Sequence, residues 1–248
     1  PPERQLYPFT LRCAKPHICY YFCDMATTIN PAKGWLNTTV GRKVVMALTG
    51  LFLITFLVVH LAGNLLLLRG DGGDAFNAYA EFMSTNPLIR ILEVLLFLGF
   101  AIHIYQGLYL AFQARKTRPT TYALHNPQKN SSLFSRTMPI TGIVILVFLL
   151  VHLRSFFVEA RILGSPYTMY DLCKNAFENP WYSGFYVVSM VLLGFHLAHG
   201  FYSGFQTLGL ILNRRVQKII QWASAIFAFV VPVGFAIIPV YFLIQKYL

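Results

Sequence analysis

The chain has 248 residues, of which 56% are hydrophobic, 16% aromatic and only 12% charged. A soluble domain carries about 25% charged residues, so an ordinary soluble protein is excluded. The net charge of +11 does not select a nucleic acid as partner, because the Lys and Arg residues fall in short connections between apolar runs, where their charge reports membrane topology. The composition predicts an all-α integral membrane bundle. Closed barrels are excluded because alternating ten-residue strands are absent.

Residues 1–40 read as an amino-terminal extension or inner surface segment, and residues 41–248 as the membrane domain. The first 24 residues begin with Pro1 and hold Cys13, Cys19 and Cys23, three of the four cysteines, together with His17. Their spacing matches no usual zinc pattern, which leaves a surface-lying tail, and Met25 reads like a natural start. Crossing about 30 Å of hydrocarbon takes about 20 apolar residues, and five such stretches follow: Val44–Leu68, Leu88–Ala114, Thr137–Leu153 with its continuation past Arg154 to Val158, Trp181–Asn213, and Ile219–Gln245. Pro232 and Pro239 are expected to bend the last span without ending it. Cys173 lies alone in the loop before span four and implies no disulfide framework.

Lys and Arg counts give the orientation. Residues 25–43 before span one and the stretches between spans two and three and between spans four and five hold Lys33, Arg42, Lys43, Arg115, Lys116, Arg118, Lys129, Arg136, Arg214, Arg215 and Lys218, with no Asp or Glu. The opposite connections hold Asp71, Asp74, Glu81, Glu159, Asp171 and Glu178. The amino terminus is therefore expected inside and the carboxyl terminus outside.

An internal repeat carries the functional signal. Thr49-Gly50 precedes His60-Leu61 as Thr141-Gly142 precedes His152-Leu153, with His ten residues after Gly in both. Likewise His103, Gly107, Tyr109, Phe112 and Gln113 recur as His196, Gly200, Tyr202, Phe205 and Gln206. The first four spans thus form two parallel helix-pair repeats. Histidine inside a membrane helix is costly, and interhelical hydrogen bonding is the plainest reason for any single one. Depth argues for more. His60 and His152 fall late in outward-going helices and His103 and His196 late in inward-going ones, which makes two layers of two histidines.

A haem iron takes two axial imidazoles from facing helices. The layers therefore predict two b-type haems, His60 with His152 on the outer side and His103 with His196 on the inner side. The four histidines are the predicted haem-iron ligands. The absence of Cys-x2-Cys-His excludes covalent c-type attachment. Gly50, Gly99, Gly107, Gly142, Gly194 and Gly200 thin the helices for the approach of a macrocycle, although small-residue helix packing explains them nearly as well. His199 is the competing inner ligand. His196 is preferred because it alone repeats the residues that follow His103, and His199 is left as a candidate propionate contact. His125, in an inner polar loop, is expected to be solvated.

With these residues, Ala75-Phe76-Asn77, Phe82-Met83, Pro87, Arg90, Leu92-Glu93 and the stretch from Phe195-His196 to Gly209, the chain from about Gly41 onward resembles the five-helix, two-haem cytochrome b subunit of succinate:quinone oxidoreductases, the succinate dehydrogenases and fumarate reductases. The resemblance implies that the four histidines are axial ligands paired first with third and second with fourth. It further implies that the chain anchors flavoprotein and iron-sulfur subunits at the inner face of a bacterial cytoplasmic membrane, and that electrons pass between the iron-sulfur partner and a quinone, expected to be menaquinone. Some fumarate reductases of this family carry Glu two residues before the fourth ligand. Here that position is Gly194, which speaks against such a proton path. No Gly-x-Gly-x2-Gly motif opens a βαβ unit and no cysteine cluster could hold iron-sulfur clusters, so dicarboxylate chemistry belongs to partner chains.

For the quinone, Asn64, Glu81 and Arg90, with Glu93 nearby, are the polar groups within reach of the His60/His152 layer. Arg90 and Glu93 also fit a plain surface ion pair at spacing i, i+3, and an inner-side site near Trp35 and Arg42 stays open. Two other readings remain: the dihaem anchor of another quinone-linked dehydrogenase or a hydrogenase, and a haem-free repeat transporter.

Overall fold

The computed structural model describes Gly34 and residues 38–116 and 133–248. Cys13, His17, Cys19, Cys23, Trp35 and His125 lie outside the described residues. Residues 43–248 form one compact unit. Among the described residues every regular element is helical. They are α1 (Thr39–Asn64), continued by a 3-10 turn over Leu65–Leu68, then α2 (Asp74–Thr85), α3 (Pro87–Lys116), α4 (Leu133–His152), a π-turn (Leu153–Val158), α5 (Glu159–Arg161), α6 (Met169–Phe177), α7 (Pro180–Thr207) and α8 (Arg214–Tyr247).

Among the described residues, five helical stretches are long and apolar enough to span a membrane: Thr39–Leu68, Pro87–Lys116, Arg136–Arg161, Pro180–Thr207 and Arg214–Tyr247. The fourth is shorter than the apolar run that predicts it, which extends to Asn213. Leu208, Gly209 and Leu210 turn back on the helix, with the Leu210 amide bonded to the Phe205 carbonyl at 3.1 Å and Gly209 at φ +71°. A left-handed residue of this kind stops a helix whatever the hydropathy beyond it. Asn213 instead caps α8, its side chain accepting from the Val216 amide. Pro232 and Pro239 lie inside α8, which runs unbroken through both.

Span three reaches Arg161 by widening into a π-turn directly after His152. There Arg154 faces out and pairs with Glu159 at 2.5 Å, while Phe156 is buried. Cys173, expected in a loop, sits buried on α6, and burial pushes its thiol up to about 12. The helix forms there because Thr168 and Asp171 complete a capping box.

Helices α2 and α6 lie together at one end of the bundle. The Tyr170 amide donates to Asn77 Oδ1 at 3.0 Å, and Gly73, at φ +96°, lies so close to Tyr170 that a Cβ would overlap the base of that side chain. Beneath them Leu67, Phe76, Phe156, Cys173, Phe177, Tyr186, Ile238 and Phe242 form a buried core. Close backbone approach is concentrated where α7 meets α8 and α4. At Gly194 the two backbones nearly touch, since a Cβ would lie 3.0 Å from the Ala228 carbonyl. The first span meets the second through side chains such as Phe52 against Gly99.

Candidate functional site

The space left between spans one to four is a cavity of about 1660 Å³, larger than the about 300–1,000 Å³ of an ordinary small-molecule site. His60, His103, His152, His196 and His199 all line it, as do Gly50, Gly107, Gly142 and Gly200. Its walls are otherwise mostly apolar, with Lys43, Asn64, Glu81, Glu93, Arg115 and Arg161 among the polar exceptions, which suits a large, flat group that is hydrophobic with a polar edge.

The four histidines meet in two pairs. The ring centres of His60 and His152 are 5.8 Å apart with planes at 86°, and those of His103 and His196 are 6.4 Å apart at 72°. A metal held between two imidazoles by bonds of about 2 Å sets the ring centres about 6 Å apart, which both pairs satisfy. Each pair offers only two donors, and no group of three or more His, Cys, Asp or Glu capable of holding a metal occurs among the described residues. A metal here thus needs its remaining ligands from a prosthetic group, as an iron porphyrin supplies them.

Contacts at Nδ1 bear on which ring nitrogen is available. His103 Nδ1 lies 3.2 Å from Thr49 Oγ1 and His196 Nδ1 lies 3.5 Å from Thr141 Oγ1. For the other pair, His152 Nδ1 lies 3.1 Å from the Tyr186 hydroxyl and His60 Nδ1 lies 3.3 Å from the Asn64 amide. The rings of His103, His152 and His196 turn Nδ1 toward hydroxyl oxygens that can accept its hydrogen, which leaves Nε2 for a ligand, whereas the NH2 group of Asn64 beside His60 Nδ1 is a donor and gives that ring no such support. The residues present fit a haem at each pair. His199 lines the cavity one turn beyond His196 and, among the described residues, faces no second histidine ring. Gly50 serves the His103 ring, because a Cβ there would lie 3.3 Å from its Cε1, while at Gly142 a Cβ would lie 3.8 Å from His196 Cε1, an ordinary contact. Gly99 and Gly194 instead serve helix contact.

The predicted quinone residues sit at the capped end. Asn64 and Glu81 line the cavity there, as do Glu93 and Arg161, whereas Arg90 stands beside it. Arg90 bonds Glu93 at 2.6 Å, and Arg161 reaches the same carboxylate oxygen at 3.4 Å. Glu81 is exposed, and its carboxylate forms no ion pair among the described residues. Tyr186, Arg161 and the two Thr-to-His contacts are absent from the sequence reading. Only the threonines had a signal there, since Thr precedes Gly in both copies of the repeat.

A five-span bundle with two facing histidine pairs defines a membrane cytochrome of the b class. The family of succinate dehydrogenase/fumarate reductase transmembrane subunits matches residues 114–236, a stretch that holds His152, His196 and His199. The succinate dehydrogenase cytochrome b558 subunit of Bacillus subtilis (strain 168) is 30% identical over 172 residues, covering 69% of this chain and 80% of that protein. No solved structure matches. The chain belongs to the family of succinate dehydrogenase/fumarate reductase transmembrane subunits and is a multi-pass membrane anchor of that kind. This membership does not favour the transporter or the anchors of other dehydrogenases.

Proposed function

We propose that the chain holds two b-type haems, one between His60 and His152 and one between His103 and His196, and links an iron-sulfur partner subunit to a membrane quinone. The observation that carries this reading is the presence of two facing imidazole pairs in one apolar cavity. Bound there, the haems would supply one-electron carriers within a span that no single group bridges. The protein's own work is to present Nε2 of each ring, to seat the His103 ring against Gly50, and to keep water from the cavity with α2 and α6.

The basic end of the bundle, with Lys43, Arg115, Arg214, Arg215 and Lys218, is the inner face in this reading and docks the flavoprotein and iron-sulfur subunits, which perform the succinate chemistry. The capped end is the outer face. Reducing a quinone to a quinol takes two electrons and two protons, so the quinone, menaquinone in this reading, needs a proton-exchanging group at the cavity mouth. Glu81, exposed and unpaired, is that group. Asn64 offers an amide to a quinone oxygen, and Arg90 acts by holding Glu93 in place. The membrane is the bacterial cytoplasmic membrane, with the amino terminus inside and the carboxyl terminus outside.

The deciding experiment is a reduced-minus-oxidised spectrum with haem quantitation on the purified complex. Two b-type haems for each copy of this chain are expected. An absent alpha band would reject the reading outright.

A further inference from the structure

We infer that Thr49 and Thr141 are positioning residues that set the reduction potential of the inner haem by accepting a hydrogen bond from each of its two ligands. The inference rests on the haem assignment above and concerns only the inner pair.

Thr49 Oγ1 donates its single proton to its own helix, to the Val45 carbonyl at 2.8 Å with the Met46 carbonyl at 3.2 Å. A hydroxyl whose proton is committed can only accept toward a third group. The contact at 3.2 Å to His103 Nδ1 therefore places the ring hydrogen on Nδ1 and the free lone pair on Nε2. Thr141 repeats the arrangement. It is 3% exposed, donates to the Met138 carbonyl at 3.1 Å, and stands 3.5 Å from His196 Nδ1. In both copies the next residue is the glycine against which Cε1 of the same ring rests. Thr-Gly is thus a two-residue seat on one helix for the histidine of the next, 54 and 55 residues further on. At Gly50 the glycine lets the ring approach, and in both copies the threonine presents an acceptor to Nδ1.

The outer pair has no such seat. His60 meets an amide from its own helix, and His152 meets a phenol whose oxygen is 3.0 Å from the Tyr182 hydroxyl. An acceptor on Nδ1–H makes an imidazole a stronger donor, and ligand basicity and hydrogen bonding tune the potential of the iron. Stronger donation stabilises the ferric state, so removing the acceptor raises the potential.

The test uses the intact complex carrying Thr49→Val, Thr141→Val, both together, and the matching Ser variants, with each haem resolved by redox titration at the alpha band. The valine variants are expected to raise the midpoint of the component that His103→Ala removes, to leave the other unmoved, and to do so most in the double variant. The larger single shift is expected from Thr141→Val, because the Met46 carbonyl also engages the His103 ring and remains in Thr49→Val. A tenfold change in the reduction equilibrium reads as about 59 mV for one electron. The serine variants keep the hydroxyl and should keep the native midpoint.

Unmoved midpoints in the double valine variant would overturn the inference, as would serine variants that shift as far as valine, which indicates packing alone. If valine expels the inner haem, its retention by serine supports the hydroxyl role and its loss in serine as well overturns it. A native complex without haem would instead reject the function proposed above.

Discussion

The two histidine layers are built differently although the same repeat generates them. Around the outer pair, His60 lies 5.1 Å from the Phe56 ring and 5.6 Å from Phe235, and His152 lies 5.8 Å from Phe148, 5.3 Å from Phe156 and 6.2 Å from Tyr186. This aromatic collar, together with the cap of α2 and α6, holds the outer rings by packing. The inner rings stand against two hydroxyls and Gly50, and Lys43 and Arg115 are among the residues that line the same cavity. A repeat can copy the ligand and its seat. It cannot copy the cap, which comes from connections that differ between the halves.

The largest effect is the one that would break the comparison altogether. Replacing His60 or His152 by Ala should remove one haem entirely and leave the other, and replacing His103 or His196 should remove the second. Spectra and haem content of each variant complex check this. If His60→Ala and His103→Ala eliminate the same component, the two layers are not separate sites.

Next in size is Glu81→Gln at the capped end. Quinone-linked turnover should fall by about 10²-fold or more, the scale of a lost general acid or base, while succinate oxidation with a soluble dye and both haems persist. Unchanged quinone-linked activity would discard Glu81 and move the search to the inner side. The same pair of assays on Arg90→Gln is expected to show a smaller loss, since Arg161 also holds Glu93.

How far each layer could be read from sequence follows the same divide. The spans and the four histidines were legible because hydropathy and a strict repeat are properties of the chain itself. The helical ends were not. Span four was read through to Asn213 because Leu208, Leu210, Ile211 and Leu212 are as apolar as the helix, and only the backbone at Gly209 stops it. The π-turn after His152 left no mark in the pattern, and Cys173 sits on a helix too short for periodicity to reveal. Tyr186 was missed because its contact to His152 joins residues 34 apart on separate spans. Nothing in either local sequence encodes that meeting.

The cap offers a smaller and purely structural lever. Gly73→Ala places a methyl group against Tyr170 at a backbone angle that L-residues resist. Overpacking of this kind costs about 1–3 kcal/mol. Thermal melts of the complex should register that loss, with the outer haem becoming more accessible to external reductants and the inner one unchanged. Equal changes at both would show that α2 and α6 do not shield the outer layer selectively.

The smallest expected effect is the sharpest comparison. Tyr186→Phe removes only the oxygen facing His152 Nδ1 and keeps the ring contacts at 4.8 Å to Phe148 and 5.0 Å to Phe177. The fold and both haems should survive, because the collar that holds His152 is intact. The outer midpoint should rise while the inner one stays, which mirrors the valine changes at Thr49 and Thr141. The shift should be smaller than that of the double valine variant, since one ligand loses its acceptor rather than two. It should also leave His152 firmly placed, as packing rather than this bond fixes its ring. A Tyr186→Phe complex that lost the outer haem would show that the phenol, and not the aromatic collar, holds the ligand, and the two layers would then be built on the same principle after all.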